Sequence, residues 1–207
     1  MNPLIEYQRL LAIAQSGKKF GRDHFDQERY AELERISLAL ISQLGNKPIA
    51  QITDLFSGET GYPTPKVDVR AFCQNAQNEI LLVEDRQTKE WSLPGGFAEI
   101  GMSPRENLAK ELVEETGFEA HIGDLLAIFD TNQKGNPPQS FQYYKLVFAC
   151  ELLRGEFIAN QEIRNIGFFS IEQLPPLSTK RTTKEQLTIL RQSRHSPQTF
   201  SLFVNNF

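Results

Sequence analysis

Residues 96–118 read GFAEIGMSPRENLAKELVEETGF, and this stretch predicts a glycine turn followed by a helix. Ser103 can act as the helix N-cap, Pro104 suits the first helical position, and Glu106 can complete a capping box. Gly117 stands where a left-handed residue commonly ends a helix. The ends of this helix are therefore well specified, so the positions of its side chains can be argued from their spacing.

Glutamates are concentrated on the second half of this helix. Glu111 and Glu115 lie one turn apart on the same face, and Glu114 lies beside them. Like charges at this spacing are unfavourable unless a positive charge lies among them. Carboxylate oxygens suit Mg²⁺ or Mn²⁺, which usually bind together with a substrate's phosphates. A solvated acidic face is the alternative, and the preceding glycine turn favours a metal-dependent phosphate site.

The same segment resembles the Nudix box, G-x5-E-x7-R-E-U-x-E-E-x-G-U, in which U is a bulky aliphatic or similar residue. Seven of its nine specified positions match at the correct spacing: Gly96, Glu111, Leu112, Glu114, Glu115, Gly117 and Phe118. Met102 stands where the first Glu is expected, and Lys110 replaces the Arg. We expect a Nudix enzyme, because the helix glutamates are intact.

The resemblance implies roles for the acidic residues. Glu111 and Glu115 are the expected metal ligands, and Glu114 is a further ligand or a catalytic group that orients water. The backbone carbonyl of Gly95 is expected to join the metal shell. Many members of the family also use a glutamate from a later loop as base or ligand, and Glu162 matches that place. An ordinary loop carboxylate is the alternative for Glu162.

Supporting roles are expected for residues around the helix. Glu99 and Arg70 are the predicted substrate-binding residues, although strand arginines also serve as charges at a sheet edge. Gly96 and Lys110 support the site, with Lys110 neutralising the acidic cluster under less geometric control than a planar guanidinium gives. Aromatic residues offer either a face for base stacking or core packing: Trp91, Phe141, Tyr143 and Tyr144.

The N-terminal region, residues 1–60, shows a helical pattern. We expect one amphipathic helix that ends at Gly17 and a second that begins after a cap at Asp26. A turn-rich linker over residues 57–65 follows. This arrangement resembles bacterial Nudix enzymes with a helical N-terminal extension, a subgroup that includes CDP-choline pyrophosphatases and proteins named ADP-ribose pyrophosphatases. We expect the region to form a homodimer, with packing on its own catalytic domain as the alternative.

The catalytic domain is assigned to residues 66–207. Period-two and apolar runs predict strands before and after the glutamate helix: residues 67–73, 79–84, 121–130, 141–153 and 163–169. A last helix is predicted over about residues 180–194. The resemblance covers residues 66–175 and implies an α+β fold, in which a mixed sheet lies between helices as an α/β/α sandwich.

Composition and charge narrow the class of function. The chain has 207 residues and a net charge of −4, and residues 61–174 hold 10 basic against 17 acidic side chains. This imbalance argues for phosphate binding through cations and against a stable nucleic-acid partner. No run of 18 apolar residues predicts a membrane span, the first residues lack a signal pattern, and Cys73 and Cys150 lie in apolar runs. We expect a cytoplasmic protein without a disulfide.

The expected activity is cleavage of the diphosphate in a nucleoside diphosphate that is linked to another group. ADP-ribose and CDP-choline are substrates of the type that the resemblance implies, and the products would be a nucleoside monophosphate and a second phosphorylated compound. A Nudix-like nucleotide-sensing module without turnover is the alternative, because two positions of the box differ from the pattern. The sequence does not select the base or the distal group.

Overall fold

A computed structural model describes residues 3–59, 61–133 and 136–194, and the chain in it divides into two compact units, Met1–Pro65 and Lys66–Phe207. In its described part the first unit is helical, with α1 at Pro3–Phe20, α2 at His24–Gly45 and α3 at Ile49–Phe56. Buried residues of α1 and α2, such as Leu11 and Ile41, form the apolar faces that the sequence pattern predicts.

The helix ends in this first unit differ from expectation. The prediction that α1 ends at Gly17 is wrong, because the helix continues to Phe20. A Cβ atom at Gly17 would lie 2.3 Å from the ring of Tyr30, so the glycine instead lets α2 approach α1 closely. The cap of α2 is Asp23 and not Asp26, since the Asp23 carboxylate accepts the backbone N–H groups at the start of the helix.

The second unit contains two small sheets and two described helices. The strands are β1 Lys66–Cys73, β2 Ile80–Asp85, β3 Trp91–Ser92, β4 Phe118–Asp130, β5 Tyr143–Gly155 and β6 Ile163–Phe169, and the helices are α4 Pro104–Thr116 and α5 Lys184–Arg194. One sheet has the order β1-β5-β4, with β1 parallel and β4 antiparallel to the central β5. The other has the order β3-β2-β6 and is antiparallel. The expected mixed sheet is confirmed.

Helices cover the strands from two sides. Leu108 and Leu112 of α4 pack with Val69 of β1 and with other strand residues in one apolar cluster. Leu187 and Leu190 of α5 belong to a second cluster, which is formed by the opposite faces of the strands. This arrangement confirms the α+β class with helices on both sides of the sheets.

Local features of the second unit also match the sequence. Ser103 and Glu106 form the predicted capping box of α4, and Gly117 caps its end with φ at 75°. Cys73 and Cys150 are buried and are register partners on neighbouring strands. Across the described residues, no helix combines the length and the apolar character needed to cross a membrane.

We predict opposite effects of alanine at two glycines of the helical unit. Gly17→Ala should lower the free energy of unfolding by about 1–3 kcal/mol, because the methyl group would overlap the Tyr30 ring. Gly45→Ala is the matched control: a Cβ there would meet no atom within 4 Å, so stability should hold or rise by about 0.5–1 kcal/mol. Urea unfolding followed by circular dichroism measures both, and equal effects would contradict the packing role of Gly17.

Candidate active site

The glycine turn, Gly95–Gly96, lies directly on β1. The Gly96 carbonyl accepts the Val69 N–H at 2.9 Å, and the carbonyl of the residue before the turn accepts the Ala71 N–H at 2.9 Å. Gly95 has φ at 128°, and a Cβ atom there would lie 2.1 Å from the Val69 carbonyl oxygen. Only glycine therefore allows this close approach of two backbones.

The turn also positions two glutamates of α4. The Gly95 N–H donates to Glu115 Oε2 at 2.7 Å. A Cβ atom at Gly96 would lie 2.6 Å from Glu111 Oε1, so the missing side chain leaves room for that carboxylate. One glycine thus holds Glu115 by a hydrogen bond, and the other accommodates Glu111. The proposed metal-ligand role of the Gly95 carbonyl stays a prediction.

A cleft of about 340 Å³ brings together the glutamates that the sequence singles out. This glutamate cleft is lined by Glu111, Glu114, Glu115, Asn160, Gln161 and Glu162. The loop before β6 therefore supplies Glu162 from the side opposite α4. Glu99, by contrast, is not part of this lining.

The carboxylates of the glutamate cleft repel one another and are partly removed from water. Burial, followed by the negative charge of Glu114, raises the pKa of Glu111 above its usual range. Burial raises the pKa of Glu115 to about 7, although the positive charge of Arg70 opposes this shift. Unfavourable ionisation of this kind is relieved when a cation binds among the carboxylates.

The donor set suits a hard divalent cation, because the acidic groups that line the cleft are all carboxylates. Within the described ranges, no three Asp, Glu, His or Cys side chains already enclose a metal position. Mg²⁺ sites commonly use one or two carboxylates and complete their shell with water and substrate phosphates. Glu111 and Glu115 fit that pattern of an open site.

Lys110 pairs with two carboxylates around the site. Its Nζ lies 2.9 Å from Glu99 Oε1 and 3.3 Å from Glu114 Oε2, and these two hydrogen bonds raise the pKa of Lys110. The amine thus connects α4 with the loop that follows the glycine turn. Its positive charge also opposes the rise in the pKa of Glu111 that burial and Glu114 cause.

Arg70 lies beneath the site and is only 7% exposed. Its Nε donates to Asp68 Oδ1 at 2.9 Å, and its Nη1 donates to the Leu93 carbonyl at 3.0 Å. The guanidinium is thus held in place within the protein. Its positive charge partly opposes the rise in the pKa of Glu115 that burial causes. Direct contact between Arg70 and a substrate phosphate stays a prediction.

Asn160 is a residue of the site that the sequence analysis missed. Its Oδ1 accepts the N–H groups of Glu162 at 2.9 Å and Ile163 at 2.7 Å, and its Nδ2 donates to the Glu114 carbonyl at 2.8 Å. The side chain thereby joins the loop that carries Glu162 to α4. An Asn two residues before Glu162 is a recognisable Asx-turn signal, but its bond to α4 depends on the fold.

Two family models match this chain. The model of the NUDIX domain matches residues 64–192. The chain belongs to the Nudix family. A second model, described as a UDP-X-like, N-terminal oligomerisation domain, matches residues 4–56. The expected Nudix pyrophosphatase with a helical N-terminal extension is confirmed at the level of the family.

Full-length similarity extends to individual Nudix proteins. YjhB of Bacillus subtilis, provisionally named an ADP-ribose pyrophosphatase, is 44% identical over 196 residues, which are 95% of this chain and 94% of that protein. A crystal structure of a UDP-X diphosphatase is 42% identical with a TM-score of 0.64, covering 97% of this chain and 96% of that one. An ADP-ribose pyrophosphatase from Streptococcus suis is 37% identical with a TM-score of 0.61, covering 68% and 99%.

We predict that Asn160→Ala lowers kcat by roughly tenfold or more with a smaller change in KM, because Glu162 would lose its fixed position against α4. Asn160→Asp keeps the acceptor for the two N–H groups but places a carboxylate oxygen against the Glu114 carbonyl oxygen, so it should also lower kcat. Steady-state kinetics on a diphosphate substrate measures both variants.

Asn75→Ala is the matched control for this experiment. Asn75 Oδ1 accepts the N–H groups of Gln77 and Glu79 in a similar turn between β1 and β2, away from the glutamate cleft. This variant should lower the melting temperature and leave kcat unchanged. Equal kinetic effects of Asn75→Ala and Asn160→Ala would contradict a specific role for Asn160.

Proposed function

We propose that this Nudix protein hydrolyses the diphosphate of a nucleoside diphosphate linked to another group, with Mg²⁺ or Mn²⁺ as cofactor. The products would be a nucleoside monophosphate and a phosphorylated second compound. The observation that carries the proposal is the convergence of Glu111, Glu114, Glu115 and Glu162 on one cleft beside the glycine turn. The names of the similar proteins support substrates of the ADP-ribose and UDP-X types, and the resemblance adds CDP-choline.

The proposed chemistry starts from the charge of the substrate. A bound divalent cation neutralises diphosphate oxygens and lowers the pKa of bound water. Glu111 and Glu115 would hold the cation, and the Glu115 carboxylate would still accept the Gly95 N–H. The Gly95 carbonyl is the further donor that the resemblance assigns to the metal shell.

Proton transfer from the attacking water requires a carboxylate oxygen that faces the cleft and is within reach of the water. Glu114 lies 3.3 Å from the Lys110 amine, so one of its carboxylate oxygens is already engaged in an ion pair. Glu162 faces the same cleft from the loop before β6 and has its backbone fixed by Asn160 and Arg86. We therefore assign proton acceptance to Glu162 and water orientation to Glu114.

The N-terminal helices are the proposed dimer interface. Large apolar side chains remain exposed on α1, α2 and α3: Leu10, Ile13, Phe20, Phe25, Ile36, Leu44, Ile49 and Leu55. Burial of such side chains against a second surface removes apolar area from water and so favours association. The matched family model, whose description names oligomerisation, supports this assignment for residues 4–56.

We predict that Glu115→Gln lowers turnover by about two orders of magnitude or more, because the charge that holds the cation is lost. The assay measures Mg²⁺-dependent products by mass for ADP-ribose, CDP-choline, UDP-sugars, dinucleoside polyphosphates and oxidised dNTPs. An unchanged circular dichroism spectrum shows that the fold is retained. Glu119→Gln, which removes an exposed carboxylate paired with Arg154 on the strands, is the control and should retain full activity.

Two outcomes of this assay would contradict the proposal. Glu115→Gln activity within a few-fold of the unmodified protein would overturn the ligand assignment. If the unmodified protein turned over none of these compounds but bound nucleotides, the protein would be a sensing module instead.

We predict a homodimer, with a mass near twice 23.6 kDa by light scattering at micromolar concentration. Leu10→Glu combined with Ile13→Glu places charges on the exposed stripe of α1 and should shift the mass toward the monomer. Leu153→Glu introduces a charge at an exposed apolar position of β5 and should leave the mass unchanged. A monomeric full-length protein would exclude this interface.

A further inference from the structure

Aromatic rings meet at the end of the glycine turn. The rings of Phe97 and Tyr143 are nearly parallel, with centroids 5.5 Å apart and an interplanar angle of 14°. Phe141 meets Tyr143 edge-on at 6.4 Å. Phe97 nevertheless remains 58% exposed, so Tyr143 covers one side of its ring and much of its remaining surface faces water.

Backbone pairing fixes this aromatic pair before any ligand binds. Phe97 forms a bridge with Asp68 of β1, and the Ala98 N–H donates to the Val67 carbonyl at 3.0 Å. Tyr143 begins β5, where it is the register partner of Lys66. A ring held in this way loses little conformational entropy when another ring stacks on it.

The exposed ring lies close to the glutamate cleft along the chain. Phe97 follows Gly95 by two residues, which spans at most about 7 Å of extended chain. The Gly95 N–H holds Glu115, whereas Phe97 lies farther toward the start of β1. A ligand whose phosphates occupy the cleft therefore has an aromatic surface within reach of its next group.

Other aromatic candidates are less suitable. Trp91 packs edge-on against Phe169 with centroids 4.8 Å apart, and it contacts the apolar cluster beneath α5. This packing assigns Trp91 to the core. Phe97, by contrast, combines a fixed position, an open surface and a place beside the glycine turn.

We propose that Phe97, backed by Tyr143, is the stacking surface for the nucleobase of the substrate. The proposal rests on the proposed function, because it takes the phosphates to lie in the glutamate cleft. All nucleobases have a π-face, so stacking on an aromatic ring supplies affinity with little preference for one base over another. The site should therefore accept both purine and pyrimidine nucleotides, with selectivity for the distal group set elsewhere.

Binding of product-like ligands tests the proposal without turnover. Isothermal titration calorimetry on the full chain with Mg²⁺ compares AMP and UMP with ribose 5-phosphate, which has the same sugar phosphate and no base. The unmodified protein should bind both nucleotides more tightly than ribose 5-phosphate, on the order of tenfold. Phe97→Ala should remove this preference and leave the affinity for ribose 5-phosphate unchanged, and Phe97→Trp should preserve it.

Ile100→Ala is the matched control, because Ile100 is fully exposed in the same loop and stacks on no ring. It should retain the preference for nucleotides. The proposal is overturned if the unmodified protein does not prefer nucleotides or if Phe97→Ala keeps the preference. It is also overturned if Phe97→Ala weakens the binding of ribose 5-phosphate as much as the binding of nucleotides. A change in the oligomeric state of Phe97→Ala would also overturn the proposal, because the ring would then belong to a subunit contact.

The stacking surface and the proposed hydrolysis can each fail without the other. A nucleotide preference that depends on Phe97, in a protein that cleaves no diphosphate, would support the stacking surface and reject the hydrolase. Turnover that depends on Glu115 but not on Phe97 would support the hydrolase and reject the stacking surface.

Discussion

The contact between the glycine turn and β1 is the constraint on which the site depends. Because Gly95 lies against the Val69 carbonyl, its N–H is directed at Glu115, and Gly96 leaves space for Glu111. The helix alone would place these carboxylates on one face, but it would not fix them against a strand. The turn therefore gives the glutamates a defined position. It does so with backbone atoms, whose positions do not depend on the rotamer of any side chain.

The cations near the glutamate cleft are shared with other acidic side chains. Glu111 and Glu115 carry charge that is costly to maintain in the partly buried cleft, as their raised pKa values indicate. Arg70 lies below them but is shared with Asp68, and Lys110 is engaged by Glu99 and Glu114. The protein's own cations therefore stabilise the framework without fully neutralising the cleft. A deficit of positive charge remains where the diphosphate and its cation are proposed to bind.

Local features were predictable from the sequence, and features that depend on distant contacts were not. The ends of α4 follow from Ser103, Glu106 and Gly117, whose capping interactions all lie within a few residues. The role of Gly17 depends on Tyr30 of another helix, and the role of Asn160 depends on the Glu114 carbonyl. The strand pair β2–β3 is also short, and no periodic pattern marks a strand of two residues. The site roles of the glutamates remain predictions that their placement supports.

The parallel pairing of β1 with β5 has a consequence for the order of folding. Lys66 and Tyr143 are register partners although most of the catalytic domain separates them along the chain. Contacts between such distant segments require the closure of a long loop, which is slow compared with the formation of a helix such as α4. During synthesis the glutamate helix therefore emerges well before the strand that completes its support. We expect the chain to form α4 early and to complete its binding surface only after β5 has left the ribosome and joined the sheet.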